Sequence, residues 1–355
     1  MKVLYVGNLD AYGTSYSRYV GLKEIESDVH ALDVAETLDW STAPRLQSTF
    51  ETHALRGPRH SAANAALVSA GREISPDIVW IDKGDWVHVS SLHELRRMGC
   101  YLVSHNTDAL NHADLRVRFK RRLLRSTAGL YDIFFTTNDI DYEAMRADSR
   151  NILFTDLGYD DRRFEPTPLS PELSREWSND LVFVGHHEPH TEAGVLALLD
   201  AGLKVKVFGH KDWFRSPNRG RLGDHLRPRL GNEEYCHALK GARIGLCWVS
   251  KRNYNQTSAR TFETAGSGTF LLAMRTRQHV ECFEEGIEAE FFGDDDELVR
   301  KARHYLERDS ERGDIARRGQ QRCVTSGYSW DALMKRDWAR VLDLHDRAGR
   351  PENSG

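Results

Sequence analysis

A hydroxyl, a guanidinium and a carboxylate occur within six residues of one another at the start of a predicted helix. They belong to Ser258, Arg260 and Glu263, and the helix is predicted to end at 266–268, just before a buried strand. The amino end of a helix presents unpaired N–H groups and a partial positive charge, which favour a diphosphate. Arg260 would add a cationic fork, while Glu263 would accept hydrogen bonds from a diol such as ribose. The pattern predicts a site for phosphate and sugar, although the same residues also fit a helix cap followed by solvated surface charges.

Short apolar runs alternate with helical segments along the whole chain. Each run is continuous and bounded by polar residues, which is typical of a strand covered on both faces in a parallel sheet. Four runs lie in each half of the chain, at 3–6, 78–81, 101–103, 133–136, 181–184, 205–208, 244–248 and 270–273. The sequence therefore predicts an α/β protein made of two units in series.

The length of 355 residues exceeds the size at which one hydrophobic core usually suffices, so two domains are expected. Three prolines between 166 and 171 interrupt regular structure and predict a stiff hinge between the two series of strands. We predict a first domain at 1–165, a proline-rich linker at 166–178, a second domain at 179–329 and a terminal helical segment at 330–355.

The composition is that of an ordinary water-soluble protein, with 40% hydrophobic and 29% charged residues. A net charge of −4 argues against extensive nucleic-acid binding. The five cysteines are far apart and lack ligand spacing, which predicts free thiols in a reducing cytoplasm and neither disulfides nor a zinc site. The first apolar run is too short for a signal peptide, and none approaches the roughly 20 residues of a membrane span. We therefore expect a cytoplasmic protein.

Several short motifs occur in a fixed order in the second half of the chain. They are Phe183-Val184-Gly185, Val207-Phe208-Gly209, the Ser258-x-Arg260-x-Phe262-Glu263 core, Glu285-Gly286-x-Glu288-Ala289, and Ile315-Ala316-x-x-Gly319 before Tyr328-Ser329-Trp330. With these motifs, residues 180–330 resemble the spore-maturation CgeB family, a branch of the GT-B glycosyltransferases. The first half of the chain resembles that family only loosely.

The resemblance implies the GT-B architecture, in which two Rossmann-like domains place their parallel sheets across a cleft. It implies a nucleotide-sugar donor, of the UDP type, on the second domain and an acceptor on the first. No metal and no cofactor besides this co-substrate are expected. The terminal segment 330–355 would return to the first domain.

The loop after the first strand carries small and hydroxylic residues and leads into a helix. In similar GT-B chains this loop lies over the sugar and phosphates, which makes Gly13 and Ser15 candidates for donor binding. A plain βα turn capped by a hydroxyl fits the same residues. The loop lacks the GxGxxG spacing, so NAD or FAD is a poor fit.

The first strand of the second domain ends at Gly185 and His186, where a glycine lets a ligand approach the backbone and the next helix begins. Three histidines between 186 and 190 suggest zinc, but two are adjacent and no cysteine or Glu-x-x-His partner follows. Related chains carry an arginine just beyond this loop. Here His190 and Thr191 take that place, so Lys251 or Arg252 would have to supply the contact.

The wider GT-B family also carries a glutamate eight residues before the ribose-binding one. In this chain that position is Asn255. Asn255 would still hydrogen-bond the sugar, but no side chain is identified as a base, so retention and inversion of the anomeric configuration both stay open.

Two residues after the strand near 101–104 can move or bind protons, namely His105 and Asp108. Histidine titrates near neutral pH, and a carboxylate can orient it or an acceptor hydroxyl. We predict that at least one of them acts in catalysis. A loop hydrogen bond is the alternative for either residue taken singly.

Six basic residues and no acid occur between 115 and 125, with Leu115, Phe119 and Leu123 on one helical face. Such a helix could rest on an anionic lipid surface or grip a phosphate backbone. It also fits a solvated face of an ordinary packed helix. An acidic run at 294–296 fits a helix start better than a metal site.

These observations predict a metal-independent GT-B glycosyltransferase that moves a sugar from a nucleoside diphosphate to an unidentified acceptor hydroxyl. The alternatives are a nucleotide-sugar epimerase, a non-catalytic nucleotide-sugar-binding assembly protein, and a glycosyltransferase that acts on modified DNA. The sequence leaves the base, the sugar, the acceptor and the oligomeric state undetermined.

Overall fold

The computed structural model describes residues 1–39, 51, 55–110, 114–147 and 151–348. The chain divides into two compact units. The first comprises Met1–Asp156, Lys251–Asn255 and Trp330–Gly355, and the second comprises Leu157–Ser250 and Gln256–Ser329. Residues 349–355 of the predicted terminal segment lie outside the described residues.

The first unit contains a six-stranded parallel sheet of order β2-β1-β3-β4-β5-β6. The strands are β1 (Val3–Gly7), β2 (Val29–Asp33), β3 (Ile78–Asp82), β4 (Tyr101–Asn106), β5 (Ile133–Thr136) and β6 (Ile152–Phe154). The four strands predicted here are confirmed. The two that the sequence did not predict lie at the edges of the sheet. Strand β2 is largely exposed and β6 has only three residues, so neither forms the long apolar run of a central strand.

The second unit contains a six-stranded parallel sheet of order β12-β11-β10-β7-β8-β9. The strands are β7 (Asn179–Val184), β8 (Val205–Gly209), β9 (Leu226–Pro228), β10 (Ala242–Cys247), β11 (Phe270–Met274) and β12 (Glu290–Phe292). Central β7 and β10 are adjacent, and the chain leaves them toward opposite edges of the sheet. Crevices for ligands form at such a reversal, beyond the carboxyl ends of the strands.

Helices connect the strands and cover both sheets. In chain order the described helices are α1 (Thr14–Lys23), α2 (Pro58–Ile74), α3 (Val89–Arg97), α4 (Leu115–Lys120), α5 (Arg122–Thr127), α6 (Asp139–Arg146), α7 (Pro171–Glu176), α8 (Pro189–Asp200), α9 (Arg219–Leu222), α10 (Asn232–Lys240), α11 (Ala259–Gly266), α12 (Arg277–Cys282), α13 (Asp295–Glu307), α14 (Asp309–Thr325) and α15 (Trp330–Ala348). In the described ranges no helix has both the length and the apolar character that a membrane span needs.

The last helix, α15, belongs to the first unit and packs on α1. Its Met334, Trp338 and Val341 join the buried cluster around β1. Gly21 on α1 leaves room for this contact, because a Cβ there would lie 3.3 Å from both the Asp331 Cα and the Met334 Cγ.

Most of the segment between β6 and β7 belongs to the second unit, which begins at Leu157. Tyr159 and Phe164 lie in the hydrophobic core of that unit, although the sequence had placed them before the hinge. Part of the predicted linker 166–178 is helical, since α7 begins at Pro171. A proline suits the first position of a helix, and the Ser170 hydroxyl accepts a hydrogen bond from the Leu173 N–H at 3.3 Å.

Candidate functional site

The helix start predicted at Ser258 is the start of α11, which follows β10 at the reversal of the second sheet. Ser258 has the extended backbone of an N-cap residue, with φ −144° and ψ 162°. Its N–H donates a hydrogen bond to the Thr261 hydroxyl at 3.2 Å. The helix therefore presents its amino end at the sheet edge where a ligand is expected.

A buried polar network supports this helix start from below. The His279 Nδ1 lies 2.7 Å from the Met274 carbonyl oxygen, and its Nε2 lies 2.8 Å from the Thr261 hydroxyl. The Cys247 sulfur lies 3.3 Å from the Ser258 hydroxyl. Burial raises the pKa of Cys247, but a hydrogen bond from His279 and the charge of Arg260 outweigh burial and lower it to about 7.

Arg260 lies in the first turn of α11, and contacts within the protein hold its side chain. Its guanidinium carbon lies 4.7 Å from the ring centroid of Phe183, and its Nη1 donates to the Trp248 carbonyl oxygen at 3.3 Å. Its Nε is buried and has no hydrogen-bond partner among the described residues. The side chain is therefore positioned by protein contacts while part of its donor capacity stays unused.

Gly185, at the end of β7, is a glycine because Arg260 occupies the adjacent space. A Cβ at Gly185 would lie 2.5 Å from the Arg260 Nη2 and 2.8 Å from the Phe183 ring. The sequence assigned this glycine to ligand approach. The structure shows that it also admits the arginine that would meet the ligand.

Glu263 lies one turn after Arg260 on α11 and is partly buried. The hydroxyl of Tyr235, on α10, donates a hydrogen bond to its Oε2. Burial raises the pKa of Glu263, and the opposing effects of Tyr235 and of the Arg260 charge do not fully offset it. Sequence reasoning missed Tyr235, because a tyrosine among the polar residues of a helix carries no local signal of its partner.

Histidines follow both β7 and β8 at the same sheet edge. The rings of His186 and His210 stack with centroids 5.0 Å apart and planes inclined by 3°. The neighbouring His187 instead pairs with Glu192, at 2.7 Å between Nε2 and Oε2. Among the described residues, no group of three or more His, Cys, Asp or Glu side chains could hold a metal ion.

The first unit holds the other predicted donor-binding residues. Gly13 is the residue before α1 and has an extended backbone. Ser15 is buried, and its hydroxyl lies against Gly7, where a Cβ would overlap it. This hydroxyl therefore points into the first unit.

Lys251–Asn255 also belongs to the first unit. The Asn138 side-chain amide donates to the Asn253 carbonyl oxygen at 2.9 Å, and the Asn253 amide donates to the Asn255 Oδ1 at 2.6 Å. Arg252 is exposed. The predicted donor-binding set is thus divided, with Gly185, His186, Ser258, Arg260 and Glu263 in the second unit and the other four residues in the first.

A buried ion pair lies under the carboxyl ends of β1, β3 and β4. The Arg18 Nη2 and the Asp82 Oδ2 are 2.6 Å apart, and both side chains have no exposed surface. Trp330 covers the guanidinium at 4.6 Å from its ring centroid. Burial alone would raise the pKa of Asp82, but the charge of Arg18 keeps it below its ordinary value. Sequence reasoning missed this pair because its partners are 64 residues apart.

His105 belongs to this buried cluster. Its side chain is 1% exposed, and its Nδ1 lies 3.9 Å from the Asp82 Oδ1. Burial and the charge of Arg18 lower the pKa of His105 to about 3, so the imidazole is neutral at physiological pH. A side chain enclosed in this way does not reach an acceptor, which argues against the predicted catalytic contact for His105.

Asp108 is the accessible member of the predicted catalytic pair. Its side chain is 41% exposed, and its carboxylate lies 3.6 Å from the Lys83 Nζ and 3.5 Å from the Arg121 Nη2. Of the two predicted catalytic residues, Asp108 is thus exposed and His105 is enclosed.

The burial of His105 predicts an acid-dependent loss of stability. In the unfolded chain the pKa of histidine is about 6.5, so the unfolded state binds a proton that the folded state does not bind between pH 6.5 and 3. This contribution is present above pH 6.5 and is lost as the pH falls, by about 2 kcal/mol between pH 7 and 5. The free energy of unfolding, measured with urea at pH 7 and at pH 5, should therefore fall by about 2 kcal/mol less in His105→Gln than in the wild type.

His30→Gln is the matched control for this experiment, because the His30 side chain is 45% exposed. It should keep the wild-type pH dependence. Equal pH dependence in His105→Gln and wild type would contradict the buried neutral imidazole.

The basic stretch between 115 and 125 does not form one continuous helix. It divides into α4 and α5 at Arg121, whose Nη1 donates to the carbonyl oxygen of Ala109 and, at 3.0 Å, to the Asn253 Oδ1. Leu115 is 70% exposed and Phe119 is 51% exposed, with the Arg122 guanidinium 3.8 Å from the Phe119 ring. The side chains of Arg116 and Lys120 lie outside the described residues.

Residues 193–337, from α8 into α15, match the model of a family described as glycosyl transferase-like. No curated protein matches the chain significantly.

Solved structures match almost the whole chain at low sequence identity. Sucrose-phosphate synthase from Thermosynechococcus elongatus is similar with a TM-score of 0.70 and 11% identity, over 98% of this chain and 100% of that chain. HepE from Anabaena, in complex with UDP-glucose, gives 0.64 and 13%, over 97% and 99%. A glycosyltransferase from Rickettsia africae gives 0.62 and 10%, over 97% and 98%.

Structural similarity at such low sequence identity establishes the fold alone. The family match covers most of the second unit and extends into α15. Both units are Rossmann-like and contain six parallel strands. The chain thus has the GT-B fold, and its residues 193–337 match the glycosyl transferase-like family.

Proposed function

We propose that this protein transfers a sugar from a nucleoside-diphosphate donor, of the UDP type, to an acceptor hydroxyl. One observation carries the proposal: Arg260 is held at the amino end of α11 with a buried, unpaired Nε, one turn before Glu263. UDP-glucose bound to HepE, which shares the fold, supports the choice of donor class. Within the GT-B proteins, the order of motifs from Phe183 to Trp330 favours the CgeB-like branch.

The donor would lie against the second unit. Its diphosphate accepts hydrogen bonds from the α11 backbone and from Arg260, and its ribose hydroxyls donate to Glu263. The Tyr235 hydroxyl fixes the rotamer of that carboxylate from the other side. When the bond to the sugar breaks, negative charge accumulates on the leaving diphosphate, and these groups stabilise it without a metal ion.

The acceptor groups would come from the first unit. We assign the role of orienting or deprotonating the acceptor hydroxyl to Asp108, because its carboxylate is exposed whereas His105 is enclosed. Lys83 and Arg121 lie beside Asp108 and would hold its carboxylate in position to accept a hydrogen bond from the acceptor hydroxyl. We also propose a cytoplasmic location, because the five cysteines form no disulfide bond with one another in the described part of the chain.

Thermal shift with nucleoside diphosphates and sugar nucleotides tests donor binding, because a ligand that binds only the folded state raises the melting temperature. At a concentration of about 100 times the Kd, UDP should stabilise the wild type by about 2.7 kcal/mol. Glu263→Gln keeps the size of the side chain but weakens acceptance of the ribose hydroxyls, so we expect its UDP affinity to fall about tenfold.

The control for this prediction is Glu281→Gln, since Glu281 is an exposed partner of Arg277 on α12. Its affinity should equal that of the wild type. Failure of every nucleoside diphosphate and sugar nucleotide to stabilise the protein would contradict the proposed function.

Turnover assays separate the alternatives. A transferase releases nucleoside diphosphate slowly until an acceptor is supplied, whereas an epimerase converts the donor without one. A non-catalytic binding protein would bind UDP and turn over neither donor nor acceptor. The same preparations can be tested for salt-sensitive binding to duplex DNA, which a DNA-modifying transferase would show.

A further inference from the structure

The stacked histidines after β7 and β8 lie beside the proposed diphosphate position. Strands β7 and β8 pair in parallel with Val184 opposite Phe208, so the residues two positions further along, His186 and His210, are brought side by side. The face-to-face stacking at 5.0 Å follows from this register. Two imidazolium rings in that arrangement would repel each other.

The charges that act on His186 are mostly positive. His210 and Asp212 follow β8, Arg229 follows β9, and Arg260 lies on α11. Asp212 is the acid in this group. Burial, followed by His210, Arg260 and Arg229, lowers the pKa of His186 below its ordinary value.

The nearby acids are partly committed to other histidines. Glu192 pairs with His187 at 2.7 Å, and Glu188 lies 3.7 Å from the His190 Nδ1. The charged groups that act on the stacked rings at the carboxyl edge of β7 and β8 are therefore mostly cationic. A diphosphate would supply negative charge beside these cationic groups.

We propose that His186 and His210 form a proton-linked part of the diphosphate site, taking up a proton from solvent when a sugar nucleotide binds. The proposal rests on the proposed function and adds His210 and Arg229 to its donor site. A diphosphate offsets the repulsion from Arg260 and Arg229 and gives an imidazolium a hydrogen-bond acceptor. This chain would thereby obtain part of its anion recognition from groups whose charge depends on pH.

The sign of the pH effect follows from linkage. The bound state holds more protons than the free state between the free and bound pKa values of the pair, so affinity increases as the pH falls through that window. A rise of one unit in the pKa of one imidazole corresponds to a tenfold change in Kd across the window. We expect UDP-glucose to bind about tenfold more tightly at pH 6 than at pH 8.

Isothermal titration calorimetry with UDP-glucose and GDP-mannose tests this proposal. The diphosphates of both probes are diesters that do not titrate between pH 5.5 and 8.5, so any pH dependence belongs to the protein. Titrations in two buffers of different ionisation enthalpy should show net proton uptake near pH 7. His186→Gln and His210→Gln should each bind with weaker pH dependence and less proton uptake, while His304→Gln, on α13, should match the wild type.

The outcomes separate this inference from the proposed function. Binding of either probe with equal Kd at pH 6 and pH 8 and no proton uptake would overturn the histidine proposal and leave the donor site intact. Unchanged pH dependence in both histidine variants would also overturn it. If neither probe binds at any pH, both the histidine proposal and the proposed binding of UDP-sugar and GDP-sugar donors would be overturned.

Discussion

Arg260→Ala is expected to reduce kcat/KM for the sugar nucleotide by about 10²–10³-fold, because a preorganised charge at a developing anion contributes on this scale. Contacts with Phe183 and Trp248 position the guanidinium. Arg260→Lys keeps the charge but loses the planar fork and its stacking, so it should recover only part of the rate. Steady-state kinetics with saturating acceptor measures each effect.

Gly185→Ala tests the same arrangement without changing the arginine. The new methyl group would lie 2.5 Å from the Arg260 Nη2, so the guanidinium must move away. The kcat/KM of Gly185→Ala should therefore also decrease, as in Arg260→Ala. Arg221→Ala is the matched control, since Arg221 forms an exposed pair with Asp200 on the same unit. Wild-type kinetics in Arg260→Ala would remove Arg260 from the mechanism.

Asp82→Ala is expected to destabilise the protein by about 3–5 kcal/mol, because it leaves the Arg18 guanidinium buried without its counter-ion. Both side chains are fully buried, and the ion pair is 2.6 Å long. Urea denaturation followed by circular dichroism measures the loss. Asp200→Ala, which breaks an exposed pair, should cost less than about 1 kcal/mol.

The double variant Arg18→Met/Asp82→Leu provides a sharper test. Replacing both charges with apolar groups removes the unpaired ion, so stability should largely return. A double variant as unstable as Asp82→Ala would show that the single substitution acts through lost packing. Asp82→Ala as stable as Asp200→Ala would contradict the buried ion pair itself.

The agreement between sequence and structure is closest where the signal is local. The eight predicted strands are continuous apolar runs, and all eight occur in the two sheets. The start of α11 at Ser258 was also predicted, because a hydroxyl residue before a helical stretch is a capping signal. The edge strands β2, β6, β9 and β12 were missed, since short or partly exposed strands leave little apolar pattern.

The candidate site was predicted less completely than the fold. Arg260 and Glu263 were identified from their spacing, but Tyr235 and the His186–His210 stack depend on which strands and helices are neighbours. Gly185 was identified for a different reason from the one the structure shows. Contacts of this kind join residues that no spacing rule connects.

Local sequence patterns alone determined the alternating α/β elements, the two series of strands and the helix start that carries Arg260, because periodicity and capping act within a few residues. The tertiary structure alone decided that His105 is enclosed while Asp108 is exposed. Those two residues are three apart in the chain, but burial depends on Arg18, Asp82 and Trp330, which come from distant segments. Burial and ion pairing are set by the packed neighbours of a side chain, and folding brings these together from across the sequence.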